Sequence, residues 1–251
     1  MSPPPYWVVS MTTLPERFGT PFFEQVIQSL LHQQCSFPFE IVVWVPTSSH
    51  RFPDLSYADW TLDHPRLKIK HCEDMGPATK LLGNFTDPAF PLHPSWSRCT
   101  HLLLVDDDII VRPDAFENMY RVIRQDIQHV WTNHWESPFS KKRIPPQGFA
   151  GVLIPFSWIR SISHRPSFHS FLKTMQNPQH PCYKVDDTIL DHLFRITSIP
   201  VKSTGLHPFR QWMDRQETDR HPPWLELCKD GDRVSLTRSC IQCLSLSLPQ
   251  L

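Results

Sequence analysis

Thr100-His101-Leu102-Leu103-Leu104-Val105 runs without a break into Asp106-Asp107-Asp108, and no other stretch narrows the possible folds as much. Its apolar residues stand at consecutive positions, so it reads as a strand buried on both faces. Strands of that kind belong to parallel sheets covered by helices on both sides. The three carboxylates then fall at the carboxyl end of the strand, the edge where ligands bind in such sheets.

The flanking sequence repeats the pattern. Tyr6 to Met11 is β-branched and aromatic and predicts a buried first strand. Thr20-Pro21 supplies an N-cap and a proline at the first helical position, and Phe23, Val26, Ile27, Leu30 and Leu31 follow one helix face. Glu40 to Pro46 predicts a second strand and Leu67 to His71 a weaker third; Pro113-Asp114 opens a helix through Ile123. Further strands are expected over 129–133, 148–155 and 199–203, and a helix from Asp186 to Phe194. No linker or shift of composition divides the chain. The expectation is one α/β domain: a nucleotide-binding half over about 6–125, an acceptor-side half over about 126–210, and an irregular Pro/Trp/Cys-rich tail over 211–251.

Composition excludes several classes. Lys+Arg and Asp+Glu both total 25, so the basic excess of a nucleic-acid or anionic-membrane binder is absent. The longest apolar stretch, near Gly148–Ile154, is far too short to span a bilayer, and the start has no signal-peptide pattern, so a cytoplasmic, soluble protein is expected. On that basis the sequon Asn84-Phe85-Thr86 is expected to stay unmodified. Seven scattered cysteines do not suggest a disulfide framework. His221, Cys228, Cys240 and Cys243 are residue types that could hold zinc, but without a second CxxC or HxxxH they read as incidental.

Three adjacent carboxylates repel one another and call for a cation. All-oxygen ligation suits Mn²⁺ or Mg²⁺, usually shared with the phosphates of a substrate. The competing reading is an acidic turn capping the next helix through Asp108 or Asp114. For the second acidic pair, Asp186-Asp187, it is again a helix N-cap.

Leu104-Val105-Asp106-Asp107-Asp108-Ile109-Ile110 resembles the DxD motif of GT-A-type glycosyltransferases. Four further segments resemble the same family in order: Val9 to Arg17, Met75 to Leu81, Gly148 to Gly151, and Val185 to Leu190. The set is especially similar to small glycosyltransferases that large algal viruses encode. The resemblance implies a single GT-A-like (Rossmann-like) domain that moves a sugar from a nucleoside-diphosphate donor, UDP-linked by default, to a glycan or glycoprotein acceptor. It implies that Asp106 contacts the ribose, Asp108 the metal, and Asp107 supports both. It makes Asp187 the base on the acceptor hydroxyl, with Asp186 the competing residue and Asp191 a weaker one, and hence transfer with inversion. Thr12 and Arg17 fall where the family holds base and phosphate, Gly151 in the strand lining the sugar pocket, and His207 where some members add a metal ligand. Lys80, after Gly76, offers a charge for phosphate, and Asp74 an acceptor for the base or ribose. Val45 to Ser49 replaces the acidic residues usual after the second strand, and Asp186-Asp187 stands where many relatives have Glu-Asp. A sugar-nucleotide pyrophosphorylase would carry a glycine-rich loop after the first strand, whereas this chain has Thr12 to Arg17. A silent carbohydrate-binding protein would have no need to keep two acidic clusters.

Overall fold

The computed structural model describes residues 4–87, 94–133, 136–137, 140–143, 151–206, 209–212 and 233–248. Its core is a seven-stranded sheet built from β1 (Trp7–Thr12), β2 (Phe39–Pro46), β3 (Leu67–Cys72), β4 (His101–Leu104), β6 (Val130–Thr132), β9 (Val152–Pro155) and β10 (Val201–Ser203), in the order β10-β6-β9-β4-β1-β2-β3. Neighbours pair in parallel except at β9, which runs against both β4 and β6. The sheet is therefore mainly parallel, as the doubly buried strands require. β5 (Ile109–Val111) pairs outside it with β11 (Phe209–Trp212), and β7 (Glu136–Ser137) with β8 (Ser140–Arg143).

Alternation along β1 divides the core into two layers. Trp7, Val9 and Met11 face one layer with α1 (Pro21–Leu31) and α4 (Ala115–Ile123). Val8 faces the other, with α2 (Thr79–Thr86), α5 (Phe156–Ser163), α6 (Pro166–Met175), α7 (Asp186–Ile196) and α8 (Arg233–Ser247). A short helix, α3 (Pro94–Arg98), precedes β4. α1 is built as its sequence dictates: Phe23, Val26, Ile27, Leu30 and Leu31 are buried, and the Thr20 hydroxyl accepts from the Phe23 N–H at 3.2 Å. Burying each such side chain contributes about 1.5–3 kcal/mol, and the cap about 1 kcal/mol.

The second half corrects the sequence reading in three places. Helices α5 and α6 lie in a stretch with no predicted element. The tail is not irregular throughout, because α8 is a helix of 15 residues whose Cys240 and Leu244 enter the core, as does Leu248 just past its end. Its apolar residues do not gather in one stripe, so periodicity carries little signal. Finally, Cys182 and Cys240 form a disulfide across 58 residues of sequence. That pairing joins a turn to a helix and was invisible to spacing alone. His221 and Cys228 lie outside the described residues. No described helix is long and apolar enough to cross a membrane.

Candidate active site

The carboxyl ends of the parallel strands open into a cleft of about 680 Å³. Its floor is the loop after β4. Burial alternates along that loop: Asp107 is 6% exposed, while Asp106 and Asp108 are half-buried. Asp107 is the anchored member, accepting from the Thr13 hydroxyl at 2.7 Å and from the Arg17 guanidinium. Arg17 also reaches Asp108, 3.3 Å away. The run lies in no helix; α4 begins later, after Asp114, so the capping alternative does not account for it.

The opposite wall is α7, where Asp186 and Asp187 are the first two helical residues and Val185 holds the cap position. Neither aspartate therefore caps the helix, although both gain from the positive end of its dipole. Between the two walls stands Lys80. It is 4% exposed, and its Nζ lies 2.5 Å from Asp106 and 2.6 Å from Asp186. Burial opposes the Lys80 charge, but Asp106, Asp186 and Asp187 outweigh it, and the pKa rises. Arg17 behaves alike: burial works against the charge, and Asp107 and Asp108 restore it.

A polar knot aims Lys80. Ser10 donates to the Lys80 carbonyl at 2.5 Å and accepts from Trp44 Nε1 and Asn84 Nδ2, each at 3.0 Å. Asn84 also donates to the Lys80 carbonyl at 2.9 Å. The knot pins α2 against β1 and β2. Asn84 is fully buried, so the sequon it heads is closed to any glycan in the folded protein.

Charge in the cleft does not balance. Six carboxylates line it, Asp74, Asp106, Asp107, Asp108, Asp186 and Asp187, against four cations, Arg17, Arg51, Lys80 and Lys184. Burial first, and then Asp106 and Asp107, push the Asp108 carboxyl up to about 6 against the partial relief of Arg17. Burial also raises Asp106, with Lys80 opposing and Asp186 assisting. Like charges so close call for a countercharge, and oxygen-only donors are the kind that Mn²⁺ or Mg²⁺ takes, although no group of three His, Cys, Asp or Glu side chains placed to hold a metal stands among the described residues. Thus Arg17 and Lys80 already supply part of the countercharge that the sequence alone assigned wholly to a metal.

The cleft gathers ten of the residues the sequence singled out: Thr12, Arg17, Asp74, Lys80, the three floor aspartates, Asp186, Asp187 and Gly76. Gly151 stands at the same sheet edge, beside Asn133, but outside this lining. His207 lies outside the described residues. Asp191 is turned to Arg195 at 2.6 Å, away from any role as base. Asp74 is spent on structure, accepting from the backbone N–H of Gly76 and of His50, each at 2.8 Å. Gly76 serves a close approach, but of protein to protein: at φ +62° a Cβ there would lie 2.1 Å from the Tyr183 carbonyl oxygen. The sequence reading missed Tyr57, Tyr183, His50, Arg51, His180 and Lys184, which also line the cleft. Burial and the nearby Asp74 raise both phenols, so they stay neutral donors. The one available signal was the position of Tyr183-Lys184 just before the acidic pair.

No family model matches the sequence, and no curated protein does. Among solved structures the chain is similar to the crystal structure of S. aureus TarS 1-349, at 13% identity and a TM-score of 0.47, covering 81% of this chain and 58% of that one. It is similar also to the crystal structure of S. aureus TarS, at 14% identity and a TM-score of 0.46, covering 79% of this chain and 35% of that one. The chain thus spans less than two thirds of either solved chain. Likeness of this degree decides nothing about chemistry, which has to be read from the cleft itself.

Proposed function

We propose that the protein is a metal-dependent glycosyltransferase that moves a sugar from a nucleoside-diphosphate donor, UDP-linked by preference, to a hydroxyl of a glycan or glycoprotein acceptor. The observation that carries this reading is the pair of acidic clusters facing each other across one cleft, joined by Lys80 between Asp106 and Asp186. Transfer from such a donor needs a counter-charge for the departing diphosphate, a base for the acceptor and a fixed orientation. In this reading Asp108, with Asp106, holds Mn²⁺ or Mg²⁺. The bound cation would supply the counter-charge for the leaving diphosphate.

The chain's own residues do the rest. Asp107, pinned by Thr13 and Arg17, fixes the loop so that its two neighbours face the cleft. Asp187, the second residue of α7, lines the cleft and in this reading takes the acceptor's proton. A single base on the acceptor side corresponds to direct displacement with inversion. Arg51 and Lys184, which also line the cleft, add positive charge for a diphosphate.

The deciding experiment measures UDP release from UDP-sugars with Mn²⁺ and with EDTA. Manganese-dependent release supports the reading; equal UDP affinity in both media removes the metal from it. Absence of turnover with every donor and acceptor tried, alongside tight sugar binding, would favour a carbohydrate-binding protein instead.

A further inference from the structure

The helical wall carries a cluster of sulfur and nitrogen donors that the proposed transfer does not use. Cys182, in the turn before α7, is bonded to Cys240 of α8. One turn further along α8, the Cys243 sulfur lies 3.2 Å from Nε2 of His180. His180 is two residues before Cys182, whose N–H donates to its Nδ1 at 3.2 Å. Two segments far apart in sequence therefore bring together an H-x-C and a C-x-x-C pattern. The i, i+3 spacing places Cys240 and Cys243 on one side of the helix.

While Cys182 and Cys240 are joined, only Cys243 and His180 remain as donors. Accordingly, no group of three metal-ligating side chains stands among the described residues. Reduction changes that inventory to three thiols and an imidazole, the Cys₃His set that zinc takes in tetrahedral structural sites. Cys182 and Cys240 are fully buried and Cys243 is half-buried, which leaves a side for a cation to enter.

We propose that His180, Cys182, Cys240 and Cys243 form a zinc site that replaces the disulfide when the Cys182–Cys240 bond is reduced. The exchange balances. A dithiol reductant delivers two electrons and two protons to the disulfide and becomes a disulfide itself. Zinc then displaces the three thiol protons to solvent. His180 binds through the Nε2 lone pair, and burial, which lowers its pKa, favours the neutral ring this requires. Ligation moves the ring proton to Nδ1 and gives up the hydrogen bond from Cys182 N–H, a small loss beside four metal bonds. In either form the cluster clasps α8 to the segment that lines the cleft through His180 and Tyr183. This inference stands apart from the donor chemistry and survives if that chemistry is wrong.

The test uses the full chain. Protein reduced with a phosphine is incubated with zinc, freed of excess metal and assayed for zinc per chain, beside oxidised protein treated identically. About one zinc per chain is expected in the reduced sample, as for a closed structural site, and close to none in the oxidised one. Cobalt(II) in place of zinc should give the intense visible absorption of a tetrahedral thiolate site. Cys243→Ser leaves the disulfide able to form, so its fold can be checked oxidised; it should lose the metal. Cys35→Ser, away from the cluster, should keep it. Reduced wild-type protein that takes up no zinc overturns the proposal. So does equal uptake by the oxidised form, or zinc that survives Cys243→Ser. Zinc that survives Cys182→Ser but not Cys228→Ser overturns it as well, moving the site into the tail.

Discussion

The two walls of the cleft are built by different means. The strand-end wall rises from β1, β2 and β4, whose residues are almost wholly buried and whose register fixes where each loop begins. Asp107 is held there by two partners from the loop after β1. The helical wall is the start of α7 together with the turns over 176–185 that lead into it. It is held by Lys80 reaching across to Asp186, by the Gly76–Tyr183 approach, and by the link from Cys182 to α8. One wall follows the ends of sheet strands; the other is set in the core through Cys182, Val185, Ile189 and Leu190 and is moored across the cleft by Lys80.

The sharpest way to break this comparison is Asp187→Asn. Transfer should fall about 10²–10⁴-fold, the usual contribution of a positioned base, while donor affinity by calorimetry stays near wild type. Asp186→Asn should cost much less; if it proves the more damaging, the base assignment moves by one residue. Next is the mooring itself. Lys80→Met leaves two half-buried carboxylates without their cation and should cost about 1–3 kcal/mol in denaturant unfolding. Adding Asp186→Asn should recover part of that loss, because the two sites are coupled. Purely additive effects would mean that Lys80 does not join the walls.

A smaller effect is expected on the strand-end wall. Asp108→Ala should weaken metal-dependent nucleotide binding about 10–100-fold and leave metal-free binding unchanged by calorimetry. The smallest is a pH effect. The Asp108 pKa of about 6 lies above its ordinary 3.8. Its contribution to the stability of the metal-free protein is therefore present below about pH 4 and is lost as pH rises through about 6. Cation binding runs the opposite way, since the metal competes with that proton. One pH unit below the pKa, affinity should drop about tenfold, and Asp108→Asn should weaken the pH dependence to the share that Asp106 carries.

The strand-end wall was legible in the sequence because buried parallel strands leave an uninterrupted apolar signature, and Asp106 to Asp108 sit directly at the end of one. The helical wall was legible only at its acidic pair. Nothing local in Cys182 or Cys240 announces a bond across 58 residues. The role of Lys80 was half read: its charge was visible, but that it would be shared between two carboxylates depends on α2 being turned by Ser10 and Asn84. Gly76 entered the sequence reading only as the residue ahead of Lys80, and the fold shows that it takes the Tyr183 carbonyl oxygen in close approach.

Asn84 has a consequence for where this chain can be made. Oligosaccharide transfer to an Asn-X-Thr sequon acts on exposed, extended chain, and Asn84-Phe85-Thr86 is such a sequon until α2 packs. A glycan added at that moment would sit on a side chain with no exposure in the folded protein, bonded to Ser10 and to the backbone of Lys80. Modification and folding therefore exclude each other at this residue. Synthesis in a glycosylating compartment would divide the nascent chains into a population that folds and a marked population that cannot, whereas a ribosome discharging into an unglycosylating space faces no such division.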